Sequence, residues 1–263
     1  MFEVMMRRLG IWWRALADLI LPRTCLVCGR KLGLQEEHIC LYCLADMPRT
    51  HFWNSSHNSM ADKFNFIIQE GLQDNWPGNV DEECGTALPP RVKYAYACAL
   101  FFYKDEGDYR HILYSLKYGG NVEAGEYFGS MLGQQMARAE HFADVDVIVP
   151  VPLHWTRQWK RGYNQAESIA KAVAKEVGAE LRTDLLYRRR RTSTQTKVDV
   201  EQKGRNVMGA FEAVKSGHEP KHIVIVDDLF TTGATLYACY LALKETYPSA
   251  RISVATLGYV GRP

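Results

Sequence analysis

An α/β fold on a mostly parallel sheet is what the sequence predicts, and three observations carry it. Short, largely apolar, β-branched runs, Val145 to Val151 and His222 to Val226, read as strands buried on both faces. Helix-length periodic segments alternate with such runs. Both runs also end abruptly in clusters of charged, hydroxyl and glycine residues, at the strand ends where open α/β sheets take their ligands.

From Tyr94 onward the pattern predicts a strand at 95–103 and a helix at 108–118 that Gly119 and Gly120 end. A helix at 122–142 follows, then a strand at 145–151, a helix at 165–177 and a strand at 180–187. The strand at 222–226, a helix at 236–247 and a strand at 251–260 complete a domain of residues 94–263. Three segments precede it. In residues 1–22, Phe2, Met5, Leu9, Trp12, Trp13, Leu16, Leu19 and Ile20 recur at helical spacing until Pro22. This predicts an amphipathic helix docked on the body, or one meeting a membrane surface or a partner. Residues 23–50 are turn-rich and carry paired cysteines. Residues 51–93 lack sustained periodicity and are expected to be a linker with some local structure.

The chain of 263 residues is 47% hydrophobic and 24% charged, enough apolar material for a real core. A net charge of +2 excludes any global electrostatic demand for nucleic acid or anionic membrane. Arg14 and Asp18 interrupt the first apolar stretch, so no signal peptide is read. No run reaches the ~18 apolar residues of a membrane span. A cytoplasmic protein with reduced or metal-bound cysteines is expected.

The stretch from Ile223 to Thr235 is the most specific. Four apolar residues lead into Asp227 and Asp228, then Thr231, Thr232, Gly233, Ala234 and Thr235 open a helix. Unpaired N–H groups and the dipole at a helix start favour an anion, and threonine hydroxyls add hydrogen bonds, so a phosphate fits. Two carboxylates beside a phosphate need donors, which vicinal sugar hydroxyls supply. No G-x-x-x-x-G-K-S/T occurs, so this is not a P-loop. The segment resembles the loop of the type I phosphoribosyltransferases that binds phosphoribosyl pyrophosphate (PRPP). That resemblance implies that the acidic pair grips the ribose hydroxyls and the threonine-glycine loop wraps the 5-phosphate.

After the strand at 145–151 come His154, Arg157, Lys160 and Arg161, followed by Gly162-Tyr163-Asn164-Gln165. Three cations within five positions, in a loop expected between a strand end and a helix start, form with His154 an anion trap suited to pyrophosphate. A charged, glycine-punctuated stretch containing Arg191, Thr192, Gln195 and Arg205 then precedes the acidic pair. Lids that exclude water have this composition. Together these motifs resemble the ComF (competence protein F) family of amidophosphoribosyltransferase-like proteins. The resemblance implies a type I phosphoribosyltransferase fold, Mg²⁺ bound with PRPP, and a mobile loop around Arg191 to Arg205.

Cys25-x₂-Cys28 and Cys40-x₂-Cys43 make two knuckles with ligand spacing for one structural Zn²⁺, a zinc ribbon. The family is similar in carrying such an element before the transferase domain. Cys84, Cys98 and Cys239 are left for packing, and His38, His51 and His57 are not needed as ligands. Three functions follow as expectations. The first is an enzyme transferring a phosphoribosyl group to an acceptor that no residue identifies. The second, from the family's name, is a factor handling single-stranded DNA during uptake in natural competence, with competence or helicase proteins as partners. The third is a PRPP-sensing regulator on the same fold.

Overall fold

The structure, a computed structural model, describes residues 22–74, 92–188, 209–217 and 219–262. The predicted N-terminal helix, the loop residues Arg191, Thr192, Gln195 and Arg205, and Cys84 lie outside the described residues. In chain order the elements are α1 (Leu41–Ala45), α2 (Ser59–Asp74), β1 (Ala97–Phe102), α3 (Arg110–Tyr118) and α4 (Val122–Met136). Next come β2 (Val147–Pro150), α5 (Trp155–Arg161), α6 (Gln165–Val177), β3 (Glu180–Leu181) and β4 (Leu186–Arg188). The last four are β5 (Phe211–Ala213), β6 (His222–Phe230), α7 (Ala234–Thr246) and β7 (Arg251–Tyr259).

Five strands form one sheet in the order β1-β7-β6-β2-β3, and every pair in it is parallel. Alternation sends Ile223 and Ile225 of β6 to one face, against Phe64 and Ile68 of α2 and Leu236 and Leu243 of α7. Val224 and Val226 face the other way, onto α3, α4 and α6 through Leu113, Phe128 and Val173. Gly125, Gly129 and Gly133 form a bare stripe along α4. A Cβ on Gly129 would lie 2.7 Å from the Ile169 carbonyl oxygen, so only glycine lets α4 approach α6 this closely.

Three expected elements differ. Residues 51–74 are not a linker: a 3₁₀ turn (Phe52–Asn54) leads into the sixteen-residue α2. The Asn58 carboxamide caps α2, accepting from the N–H groups of Met60 and Ala61, and Asn65 pairs with both backbone groups of Ala95. Met60, Phe64 and Ile68 are fully buried, each contributing roughly 1.5–3 kcal/mol by area. Exposed Phe66, on the outer side, hides that stripe from a periodicity count. The single strand expected at 180–187 is two. Arg182 turns back on Asp184, with Nε to Oδ1 at 2.8 Å, and the chain leaves the sheet to pair β4 antiparallel with β5. The helix expected to run to Phe142 ends at Met136 and resumes as a 3₁₀ turn, Glu140–Phe142.

The start of β6 holds a buried polar relay. His222 is fully buried, with Nδ1 2.6 Å from Asp144 Oδ1 and Nε2 2.8 Å from Ser253 Oγ. The carboxylate only accepts, so Nδ1 carries the proton of the neutral ring. Burial lowers the His222 pKa, opposed by Asp144. A depressed histidine contributes stability that is complete above its unfolded value near 6.5 and lost as pH falls below it. Stability should therefore drop from pH 7 to pH 5, by at most about 1.4 kcal/mol per pH unit for this one proton. Burial also lowers His38 and His141, which add to the slope. His222→Gln keeps a donor and an acceptor but does not titrate, so denaturant melts at the two pH values should show a shallower slope. An unchanged slope would remove His222 from the account.

Candidate functional site

The sheet order contains one reversal. From β2 the chain moves outward to β3, then returns across β2 to β6 and continues to β7 on the other side. The crevice beyond the carboxyl ends of β2 and β6 is thus the topological switch point, the usual ligand position in open α/β sheets. β2 pairs with β6 only as far as Pro150 opposite Val226, whereas β7 follows β6 to Phe230 opposite Tyr259. Asp227 and Asp228 therefore lie inside a longer strand than expected, at the level where β6 has lost one neighbour.

Strand alternation turns the two carboxylates apart. Asp228 is buried on the α3 and α6 side, with Lys117 Nζ 3.2 Å from its Oδ2 and Gln165 Nε2 3.3 Å from the same oxygen. An ionised carboxylate only accepts, which fixes the orientation of the Gln165 amide. Its Oε1 is then buried without a hydrogen-bond partner. Asp227 is half-buried and accepts the N–H of Asp228 at 2.8 Å. Desolvation and then the Asp228 charge raise its pKa well above the usual carboxylate range, against the pull of Lys117 and Arg188. On α7, Cys239 is pushed up by burial and by the charge of Asp227, which marks the face Asp227 is on.

The turn Thr231 to Gly233 follows, with Thr231 and Thr232 exposed and Gly233 at φ +82°. A Cβ on Gly233 would meet Ile67 and the Phe230 ring at 2.9 Å. The N-cap Gly233 has no side chain to offer, and Thr232 Oγ1 accepts the Ala234 N–H at 3.4 Å, so the N–H groups that follow in the first turn of α7 face the turn. α2 braces the turn: Lys63 Nζ donates to the Thr231 carbonyl at 2.8 Å.

The stretch expected to be a basic loop is largely the helix α5. His154, named above for pyrophosphate, is buried and caps α5, its Nδ1 accepting from Thr156 N–H at 3.3 Å. Gly162 at φ +80° ends the helix. Arg161 lies over the Tyr118 ring, 5.6 Å from its centroid. The side chains of Arg157 and Lys160 lie outside the described residues. Tyr163 donates its hydroxyl to the Leu116 carbonyl, and Asn164 both caps α6 and donates to Val151 O at 3.0 Å. Gly162 to Gln165 is thus a bracket holding α5, α6 and α3 around Asp228. Lys117 and Lys63 went unnoticed in the sequence because each reaches the site from an element distant along the chain.

The four cysteines come together as their spacing predicts. The sulfurs of Cys25, Cys28, Cys40 and Cys43 lie within 4.8 Å of one another, and Cys28 to Cys40 is 3.8 Å. Tetrahedral Zn–S bonds of about 2.3 Å set the sulfurs roughly 3.8 Å apart, so the cluster is positioned to bind a metal ion. Burial opposes ionisation of Cys25, but the N–H groups of Cys28, Cys40 and Val27 outweigh it and bring the thiol down to about 7. Burial, with its sulfur neighbours, raises Cys43 instead. Glu36 ties the knuckles, accepting from Gly33 N–H at 2.6 Å and Leu41 N–H at 2.7 Å. No helix among the described residues is long and apolar enough to cross a membrane. The chain matches no protein-family model, and no curated protein is recovered as a relative.

Proposed function

We propose that the crevice between β2 and β6 binds a phosphoribosyl compound, with PRPP as the ligand that its neighbouring cations favour. The observation that carries this reading is the meeting, at one switch point, of an acidic pair and the start of a thirteen-residue helix behind a positive-φ glycine. The helix start suits a 5-phosphate, Asp227 suits ribose hydroxyls, and Arg161 at the end of α5 suits a pyrophosphate. The ComF resemblance agrees with this assignment. It extends it to phosphoribosyl transfer with Mg²⁺ on the leaving group and to Zn²⁺ in the cysteine cluster, whose donor set fits that ion.

Calorimetric titration with ribose 5-phosphate and PRPP tests the reading. Asp227→Asn removes a charged acceptor, worth roughly 1.5–3 kcal/mol in a hydrogen bond, so both ligands should weaken at least tenfold. Inorganic sulfate should bind as well or better, because a repelling charge is gone. Unchanged sugar-phosphate affinity in this variant would remove the ribose assignment.

A second reading, binding of single-stranded nucleic acid, is favoured by exposed aromatic rings on α5 and at the end of α3. Trp155 is 69% exposed, Trp159 87% and Tyr118 74%, beside Arg161. Exposed rings interleaved with cations stack bases. Salt-dependent binding of an oligonucleotide, lost in Trp155→Ala with Trp159→Ala, is its test.

A further inference from the structure

Two adjacent carboxylates at the mouth of an anion site pose an electrostatic problem. Each repels a phosphate, and in a partly desolvated crevice that repulsion is screened less than in bulk water. Lys117 answers it from α3. Its ammonium sits 3.2 Å from Asp228 Oδ2, with the lysine side chain 26% exposed and the aspartate 7%. A pair this shielded is held more firmly than a surface ion pair. The end of α3 is itself fixed: the Tyr163 hydroxyl bonds to the Leu116 carbonyl, and the chain turns away at Gly119 and Gly120. Gln165, on α6, donates to the same carboxylate oxygen at 3.3 Å. Asp228 is thereby committed to the protein, leaving Asp227 as the carboxylate free to meet a ligand.

We infer that Lys117 is the resident cation of this site: by neutralising Asp228 it lets a sugar phosphate enter the crevice between β2 and β6 without a divalent metal ion. The inference rests on the phosphoribosyl reading of that crevice. It divides the labour between the two carboxylates. Asp228 is a positioning residue locked to α3 and α6, and Asp227 is the ligand contact. Divalent metal is then required only by a pyrophosphate, so Mg²⁺ should matter for PRPP and not for ribose 5-phosphate.

The test is calorimetric titration with ribose 5-phosphate, in EDTA and in Mg²⁺, on wild type, Lys117→Gln and Lys117→Arg. Wild type should bind equally within about threefold in the two buffers. Lys117→Gln should lose about tenfold or more in EDTA and regain most of it in Mg²⁺, whereas Lys117→Arg should behave as wild type. A merely structural lysine would not produce a loss that Mg²⁺ repairs. Wild-type binding that requires Mg²⁺, or Lys117→Gln binding normally in EDTA, overturns the inference and leaves the phosphoribosyl reading standing. Wild type failing to bind in both buffers overturns that reading and the inference with it. Should Lys117→Gln not fold, the wild-type comparison of EDTA with Mg²⁺ decides by itself.

Discussion

Removing metal from the four-cysteine cluster, by chelation or by Cys25→Ser, is expected to destabilise the whole protein and not residues 23–50 alone. Cysteine spacing by itself suggests a separate ribbon that would unfold independently. The packing argues otherwise. Cys25, Val27, Leu32, Ile39 and Met47 belong to the same buried cluster as Leu100, Phe101 and Phe128 of the main body. Pro48 and Thr50 run along β1, bonding to Phe102 N–H at 2.8 Å and to Leu100 O at 3.3 Å, so the module covers the edge of the sheet. Tyr109, at the start of α3, donates to the Cys43 carbonyl at 2.7 Å. Structural zinc is worth about 10–16 kcal/mol of apparent folding energy in isolated fingers. Even ~5 kcal/mol lost here would lower Tm by about 10–20 °C. Elemental analysis of fresh protein should find one metal per chain, and a melt followed at buried Trp53 and by far-UV circular dichroism should fall together after chelation. A local transition at Trp53 with the far-UV melt unmoved would restore the picture of an autonomous ribbon.

Gly233→Val should abolish anion binding. At φ +82° a β-branched residue is strained by about 1–2 kcal/mol, and its Cβ would start 2.9 Å from Ile67 and the Phe230 ring. Phe230 ends a strand paired on one side to Tyr259, so it has little room to yield. The relief open to the chain is to reshape the turn, which moves the first N–H groups of α7 away from the point on which they converge. Losing two or three such hydrogen bonds to a charged oxygen, at roughly 1.5–3 kcal/mol each, exceeds a hundredfold in affinity. Titration with sulfate and ribose 5-phosphate measures this directly. The control is the melting temperature, which should fall by only the few degrees that 1–2 kcal/mol allows. Retained sulfate binding would mean that the anion is held by threonine side chains or by α5, and not by the helix start.

What the sequence by itself determined was local chemistry and periodicity. The β-branched runs became parallel strands because their residues alternate between two buried faces, and a run buried on both sides tolerates little polarity. The knuckles assembled because only two residues separate the cysteines of each pair, close enough for its own turn to aim both sulfurs at one point. The turn before α7 was legible because glycine is the residue that occupies its backbone conformation without strain. Tertiary structure decided what depends on contacts between distant segments. α2 exists because its stripe meets β1 and α7, a partner surface that no window of the sequence contains. His154 became a helix cap because α5 forms where charge density alone suggested an open loop. Adjacency in sequence made Asp227 and Asp228 look like one unit, yet successive residues of a strand face opposite ways. Lys117, 111 residues earlier in the chain, reaches only the second of them in an ion pair, because only the fold brings the end of α3 to that face.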